Sequence, residues 1–168
     1  MPKDKKLVLF AGEYWRPEKR FDLVQEAVWR LQQEDRAVEL VTLSGKTHNE
    51  VPTYMNACDV LALASDGEGS PMVVKEAMAC RLPVVSVPVG DVPQVIGGTE
   101  GCYLCAQEPE DIAAKLKLAL AGHSRTRPWE AAQQFSLEGV ARRVVNVYEE
   151  ALAKHSISRL VESSGRRP

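Results

Sequence analysis

The sequence predicts an α/β fold, a parallel sheet wrapped by helices. Three observations carry that prediction. Apolar runs alternate along the chain with amphipathic segments. Most of those runs are continuous rather than alternating, as in strands buried on both faces. Polar or glycine-bearing loops follow the runs, as strand-to-helix connections require. A right-handed, Rossmann-like βαβ arrangement follows from this order.

KLVLFAG (6–12) is apolar, partly β-branched and ends in glycine, a buried first strand. Residues 18–34 set Phe21, Val24, Val28 and Leu31 at helical spacing. VELVTL (38–43) is a second strand, followed by the polar loop SGKTHNE. VPTYMNAC (51–58) is a short helical turn opened near a proline. DVLALAS (59–65) is a third strand. Ser70 and Pro71 suit the N-cap and first position of a helix reaching about Cys80. PVVSVP (83–88) and GCYLC (101–105) are the fourth and fifth strands. PEDIAAKLKLALAG (109–122) is an amphipathic helix with acids in its first turn and Gly122 past its end. Residues 136–155 form a last helix, and 156–168 a polar tail that frays. The expected organisation is one domain over 1–155 and a tail over 156–168.

Composition narrows the functional classes. The chain has 168 residues, is 45% hydrophobic and 26% charged, and has a net charge of −2. It is long enough to bury a core as one domain. No broad basic field exists, so nucleic acid is not an expected partner. No apolar run approaches the roughly 20 residues that span a bilayer, and no signal-peptide pattern opens the chain. Cys102 and Cys105 have CxxC spacing but no second pair nearby. With Cys58 and Cys80 they read as reduced thiols in a cytoplasmic compartment, not as a zinc site.

In a parallel sheet, ligands sit at the carboxyl ends of the strands. Three loops at that edge are unusual: AGEYWRPEKR with Gly12, Arg16 and Lys19, then SGKTH (44–48), then SDGEGSP. The third runs into a helix start, which presents unpaired amides and about half a positive charge. Gly67 and Gly69 let a ligand approach the backbone closely, so this loop suits a phosphate. Pro71 has no N–H, which leaves the amides of Met72 and Val73. Arg16 and Lys19 emerge at the same edge and suit a diphosphate. Glu76 lies near the face of Met72 and Val73 at 100° per residue, while Glu68 lies in the loop. Both carboxylates border one ligand in this reading, each a bidentate acceptor for vicinal hydroxyls. Taken singly, each feature is also what an ordinary βα turn or solvated helix face would show.

Together they resemble a known family. EGSPMVVKEAMACRLPVVSVPVGDVPQVIGG (68–98) resembles the nucleotide-binding signature of retaining glycosyltransferases of family 4, which share the two-domain B-type fold. The pattern is E-x7-E, then AMAC-x-LPVV, then a glycine-containing turn. VLFAG and PEKRFDLVQEA look like the first strand, basic loop and helix of that family's C-terminal domain. FSLEGVARRVVNVYEEAL looks like its closing helix.

The resemblance implies roles. Glu68 would position the transferred sugar as the catalytic carboxylate. Glu76 would hold the ribose hydroxyls. Lys19, with Arg16 nearby, would neutralise the leaving diphosphate, and the first loop begins at Gly12. Gly69, Ser70 and the amides of Met72 and Val73 would line the same group, with 44–48 bordering the base. No metal and no cofactor are implied, the donor being a nucleotide-sugar. The family's acceptor-binding N-terminal domain would be absent here, leaving this domain inactive alone. The full-length enzyme would be cytoplasmic, with peripheral association at the inner membrane face.

The chain also departs from the family. Glu13 follows Gly12 where arginine is usual, Arg20 follows Lys19 where glycine is usual, and the loop is one residue longer. Arg81 stands where a helix-ending glycine is common. Two other readings remain at this point: a non-catalytic anion-binding module, and half of a nucleotide-sugar 2-epimerase. An epimerase needs further acids and histidines in these loops, and only His48 is found there.

Overall fold

A computed structural model describes residues 5–34, 37–122 and 135–164, with side chains through 154. The chain divides into two compact units, Met1–Ala132 and Gln133–Pro168.

The first unit is a five-stranded, all-parallel sheet: β1 (Lys6–Phe10), β2 (Val38–Thr42), β3 (Val60–Leu63), β4 (Val84–Ser86) and β5 (Tyr103–Leu104). Strand order is β2-β1-β3-β4-β5. Every β1 residue pairs with β2, from Lys6 with Val38 to Phe10 with Thr42. The helices are α1 (Phe21–Glu34), α2 (Val51–Ala57), α3 (Met72–Ala79), α4 (Val92–Ile96) and α5 (Pro109–Ala121).

Burial explains why the strands lack polar alternation. Leu7, Val8, Leu9 and Phe10 of β1 are all buried, as is all of β3. Alternate residues point to opposite faces, so each face needs its own cover. Val8, Phe10, Val60, Ala62, Val85 and Val87 share one cluster with α1 and α5. α1 contributes Val24, Ala27, Val28 and Leu31, and α5 contributes Ile112, Ala113, Leu116 and Ala119. On the other parity, α2 touches β1 and α3 touches β4. Each buried Val or Leu contributes about 1.5–3 kcal/mol.

Three expectations differ in detail. α4 was not expected: VPQVI is short and apolar, and nothing in it distinguishes a turn of helix from a loop. Ser70 is not the N-cap of α3, because Pro71 holds that position at φ −64, ψ 112. The Ser70 hydroxyl is turned away by other partners, described below. The last helix, α6 (Leu137–Ser164), makes up the described part of the second unit. It runs through the 155/156 boundary into residues read as tail.

The two arginines standing where the family favours glycine both have left-handed backbones, Arg20 at φ 50 and Arg81 at φ 58. Each costs about 1–2 kcal/mol relative to glycine. Arg81 closes α3 in a Schellman arrangement: its amide donates to Met78 and that of Leu82 to Ala77.

Burial pushes the Cys102 thiol up to about 11. Burial, then the Asp111 charge, pushes Cys105 up to about 12. Neither thiol is poised for redox or metal chemistry. None of the four cysteines is in a disulfide. No described helix is long and apolar enough to cross a membrane.

Candidate functional site

β1 leads by way of α1 to β2 on one side, while β3 begins the run toward β4 and β5 on the other. β1 and β3 are neighbours, so the loops leaving their carboxyl ends part in opposite directions. That divergence opens the crevice where ligands bind in doubly wound sheets.

The loop after β1 ends in a short 3-10 turn, Pro17–Lys19. The amide of Asp66, just past β3, donates to the Glu18 carbonyl at 2.9 Å. This backbone bond ties the two loops together. Beside it, Lys19 Nζ donates to Glu68 Oε1 at 2.6 Å, and both side chains are mostly buried (22% and 18% exposed). The sequence separated these residues by 49 positions; the fold places them in contact. Gly12 belongs to the same corner: a Cβ there would lie 2.9 Å from the Phe10 ring and 3.3 Å from Lys19 Cβ.

α3 starts immediately beyond. Its first amides, Met72 and Val73, have no preceding helical carbonyl to bond. The Val74 amide donates back to Pro71. Glu76 lies one turn on and half-exposed; among the described residues nothing bonds or pairs with its carboxylate. Lys19 and Glu68 bond one another at the crevice, and Glu76 is open beside them.

A third loop braces the second. Gly90, at φ +53, lies so close under Gly69 that a Cβ would fall 2.2 Å from the Gly69 carbonyl oxygen. The Asp91 amide donates to that same oxygen at 3.2 Å. Lys75, 7% exposed, donates to both Asp91 carboxylate oxygens (3.0 and 2.8 Å) and to Ser70 Oγ at 2.8 Å. Ser70 Oγ in turn donates to Asp91 at 2.8 Å. This triad explains why Ser70 does not cap the helix. Burial works to raise the Asp91 carboxyl, but the Lys75 and Ser70 bonds and the Lys75 charge together hold it below the usual carboxylate range.

The Arg16 carbonyl accepts from the Lys19 amide at 3.0 Å, but among the described contacts its side chain does not join that of Lys19. Its guanidinium is held by Glu18 at 2.6 Å, on the exposed side of the loop. Glu13 accepts from Ser44 Oγ at 2.7 Å, joining the first loop to the start of 44–48. So the acid that replaces the family's usual arginine serves here as a loop-to-loop tie. Lys75, Gly90 and Asp91 were missed by sequence reasoning. The glycine-containing turn after β4 was the one available signal, and it did not name the side chains. Among the described residues, no group of three His, Cys, Asp or Glu stands where it could hold a metal ion.

Residues 30–122 match the family model described as "Glycosyl transferases group 1". That stretch takes in Glu68, Glu76 and the 44–48 loop. An uncharacterized glycosyltransferase of Methanocaldococcus jannaschii, MJ1178, is 34% identical over 115 residues, which are 64% of this chain and 32% of the relative. Sucrose-phosphate synthase from Thermosynechococcus elongatus superposes with TM-score 0.72 at 23% identity, covering 92% of this chain and 47% of that one. Anabaena HepE, solved with UDP and glucose, superposes with TM-score 0.64 at 17% identity over 87% of this chain and 48% of that one. The structural likenesses establish the B-type glycosyltransferase sheet. This chain spans less than half of each of these proteins.

Proposed function

Because the chain belongs to the group 1 glycosyl transferases, we propose that its first unit is the donor-binding half of a retaining, family 4 enzyme. The donor is a nucleoside diphosphate sugar, and the acceptor is a saccharide or lipid-linked glycan bound by a second domain. One observation carries this reading: the Lys19–Glu68 pair, 2.6 Å apart, in the β1/β3 crevice at the foot of α3.

The chemistry follows from charge. When the bond between the sugar's anomeric carbon and the diphosphate oxygen breaks, the electron pair goes to that oxygen. Negative charge therefore grows on the diphosphate in the transition state. Lys19 and the Met72 and Val73 amides stabilise it there more than in the ground state, which is what accelerates the step. The acceptor hydroxyl oxygen forms the new bond from the same face, and its proton passes to the departing diphosphate. Lys19 and the helix start supply the positive field, so the reading needs no metal. Glu68, engaged by Lys19, orients the sugar's hydroxyls instead of forming a covalent link. Without the acceptor domain the unit binds donor but transfers little. Anabaena HepE, of the same fold and solved with UDP and glucose, supports a nucleotide as ligand.

Glu76, open and one turn into α3, is assigned to the ribose hydroxyls. The wild-type chain is expected to prefer ribonucleoside over 2′-deoxyribonucleoside diphosphates. Glu76→Ala should bind the ribonucleotide about tenfold more weakly and lose that preference. Calorimetric titration of both nucleotides checks this. A preference that survives the substitution removes Glu76 from the role.

A further inference from the structure

The loop after β1 carries a second feature that the donor chemistry does not use. Tyr14 and Trp15 are 56% and 60% exposed. Their rings meet edge to face at 5.0 Å. Tyr14 leans on Phe21 at 6.1 Å, and Phe21 packs on buried Phe10 at 5.0 Å. The exposed rings thus stand on a stack that reaches the core, which fixes them more firmly than a loop alone would.

Beside them opens a recess of about 650 Å³, lined further by Arg20, Gln25 and Asp66. That size suits a small-molecule subsite. Its charges are two arginines, Arg16 and Arg20, and two aspartates, Asp22 and Asp66, which cancel. Both cations are already paired: Arg16 with Glu18, and Arg20 with Asp22 and Asp66. Asp66 is held again by Gln107 at 2.8 Å. A phosphate or anionic lipid headgroup would meet a lining of no net charge, with a carboxylate beside each cation it could reach.

What remains is two aromatic rings beside fixed planar acceptors and an amide. That chemistry matches a neutral sugar. Its C–H face packs on a ring, while neighbouring hydroxyls bond carboxylate and amide groups. Arg20 adds a further observation. It occupies a left-handed position that glycine fills without strain, and its guanidinium forms the bridge across the recess.

We propose that this recess binds one neutral pyranose unit of a glycan, an outer subsite for the acceptor chain whose reacting end the second domain holds, adjoining the donor crevice at Asp66. The proposal rests on the transferase reading for its purpose, but its test does not. The chain is titrated with maltotetraose, cellotetraose, chitotetraose and mannotetraose up to millimolar levels. The Trp15 indole N–H is followed by NMR, and the tightest of UDP, GDP and ADP is titrated in parallel. At least one saccharide is expected to move the Trp15 signal. By calorimetry, Trp15→Ala and Tyr14→Ala should each weaken that saccharide about fivefold or more. Arg20→Gly relieves the backbone and should weaken it too, with the fold intact. All three should leave the nucleotide within about twofold. The proposal is overturned if no saccharide moves Trp15 while the nucleotide binds, or if saccharide affinity survives Trp15→Ala. Saccharide binding without nucleotide binding would keep this subsite and remove the donor reading instead.

Discussion

Lys19→Ala is expected to weaken nucleoside diphosphate binding by about 10- to 100-fold and nucleoside binding by no more than about twofold. The asymmetry follows from where the ammonium stands. Lys19 is bonded to Glu68 at 2.6 Å at the crevice floor, beside the amides that begin α3. Removing it costs a charge-assisted contact to the diphosphate. It also leaves the Glu68 carboxylate, 18% exposed, without its cation. That freed negative charge repels the same ligand, so both effects act in one direction. A double-mutant cycle with Glu68→Ala separates them. If the loss arises only from the freed carboxylate, the double variant regains wild-type affinity. If Lys19 contacts the diphosphate, the double variant stays weak. Titration with matched mono- and diphosphates completes the test. Equal losses for both would argue that Lys19 does not meet the second phosphate.

Gly90→Ala is expected to cost about 3 kcal/mol or more of stability and to abolish measurable diphosphate binding. The backbone conformation at φ +53 accounts for part of the cost. The rest is steric: the new methyl would overlap the carbonyl oxygens of Gly69 and Glu68, at 2.2 and 2.7 Å. Those are backbone atoms of the donor loop and cannot rotate away as a side chain would. Relief requires the Glu68–Gly69 segment to lift, which moves Glu68 off Lys19. Gly67→Ala is the matched control, because a Cβ there meets nothing within 4 Å. Urea unfolding should show Gly67→Ala within about 1 kcal/mol of wild type. Comparable losses for the two variants would contradict the bracing role of Gly90.

Much of the fold was legible because the sheet is buried on both faces. β1 and β3 have few polar residues to confuse the pattern, and α1 repeats its apolar residues at helical spacing. α4 escaped because a single apolar turn has no period to detect. The two glutamates stand out through E-x7-E at a helix start, which is a local signature. Lys75 left none. Its partners, Ser70 and Asp91, are five and 16 positions away, and the sequence shows only a lysine on a helix. The same long-range contact misled the reading of Ser70 as a cap. Arg16 was assigned to the diphosphate from its place on the loop. Its bond to Glu18 is visible only in the fold. The strained Arg20 lay between the two cases. Its departure from glycine was visible, but its span across Asp22 and Asp66 was not.

The central claim is that the crevice between β1 and β3 holds a nucleoside diphosphate. Calorimetric titration of the wild-type chain with UDP, GDP and ADP tests it most directly. The account predicts that at least one binds below millimolar concentration, and more tightly than its monophosphate. No binding of any of the three at millimolar concentration would contradict it.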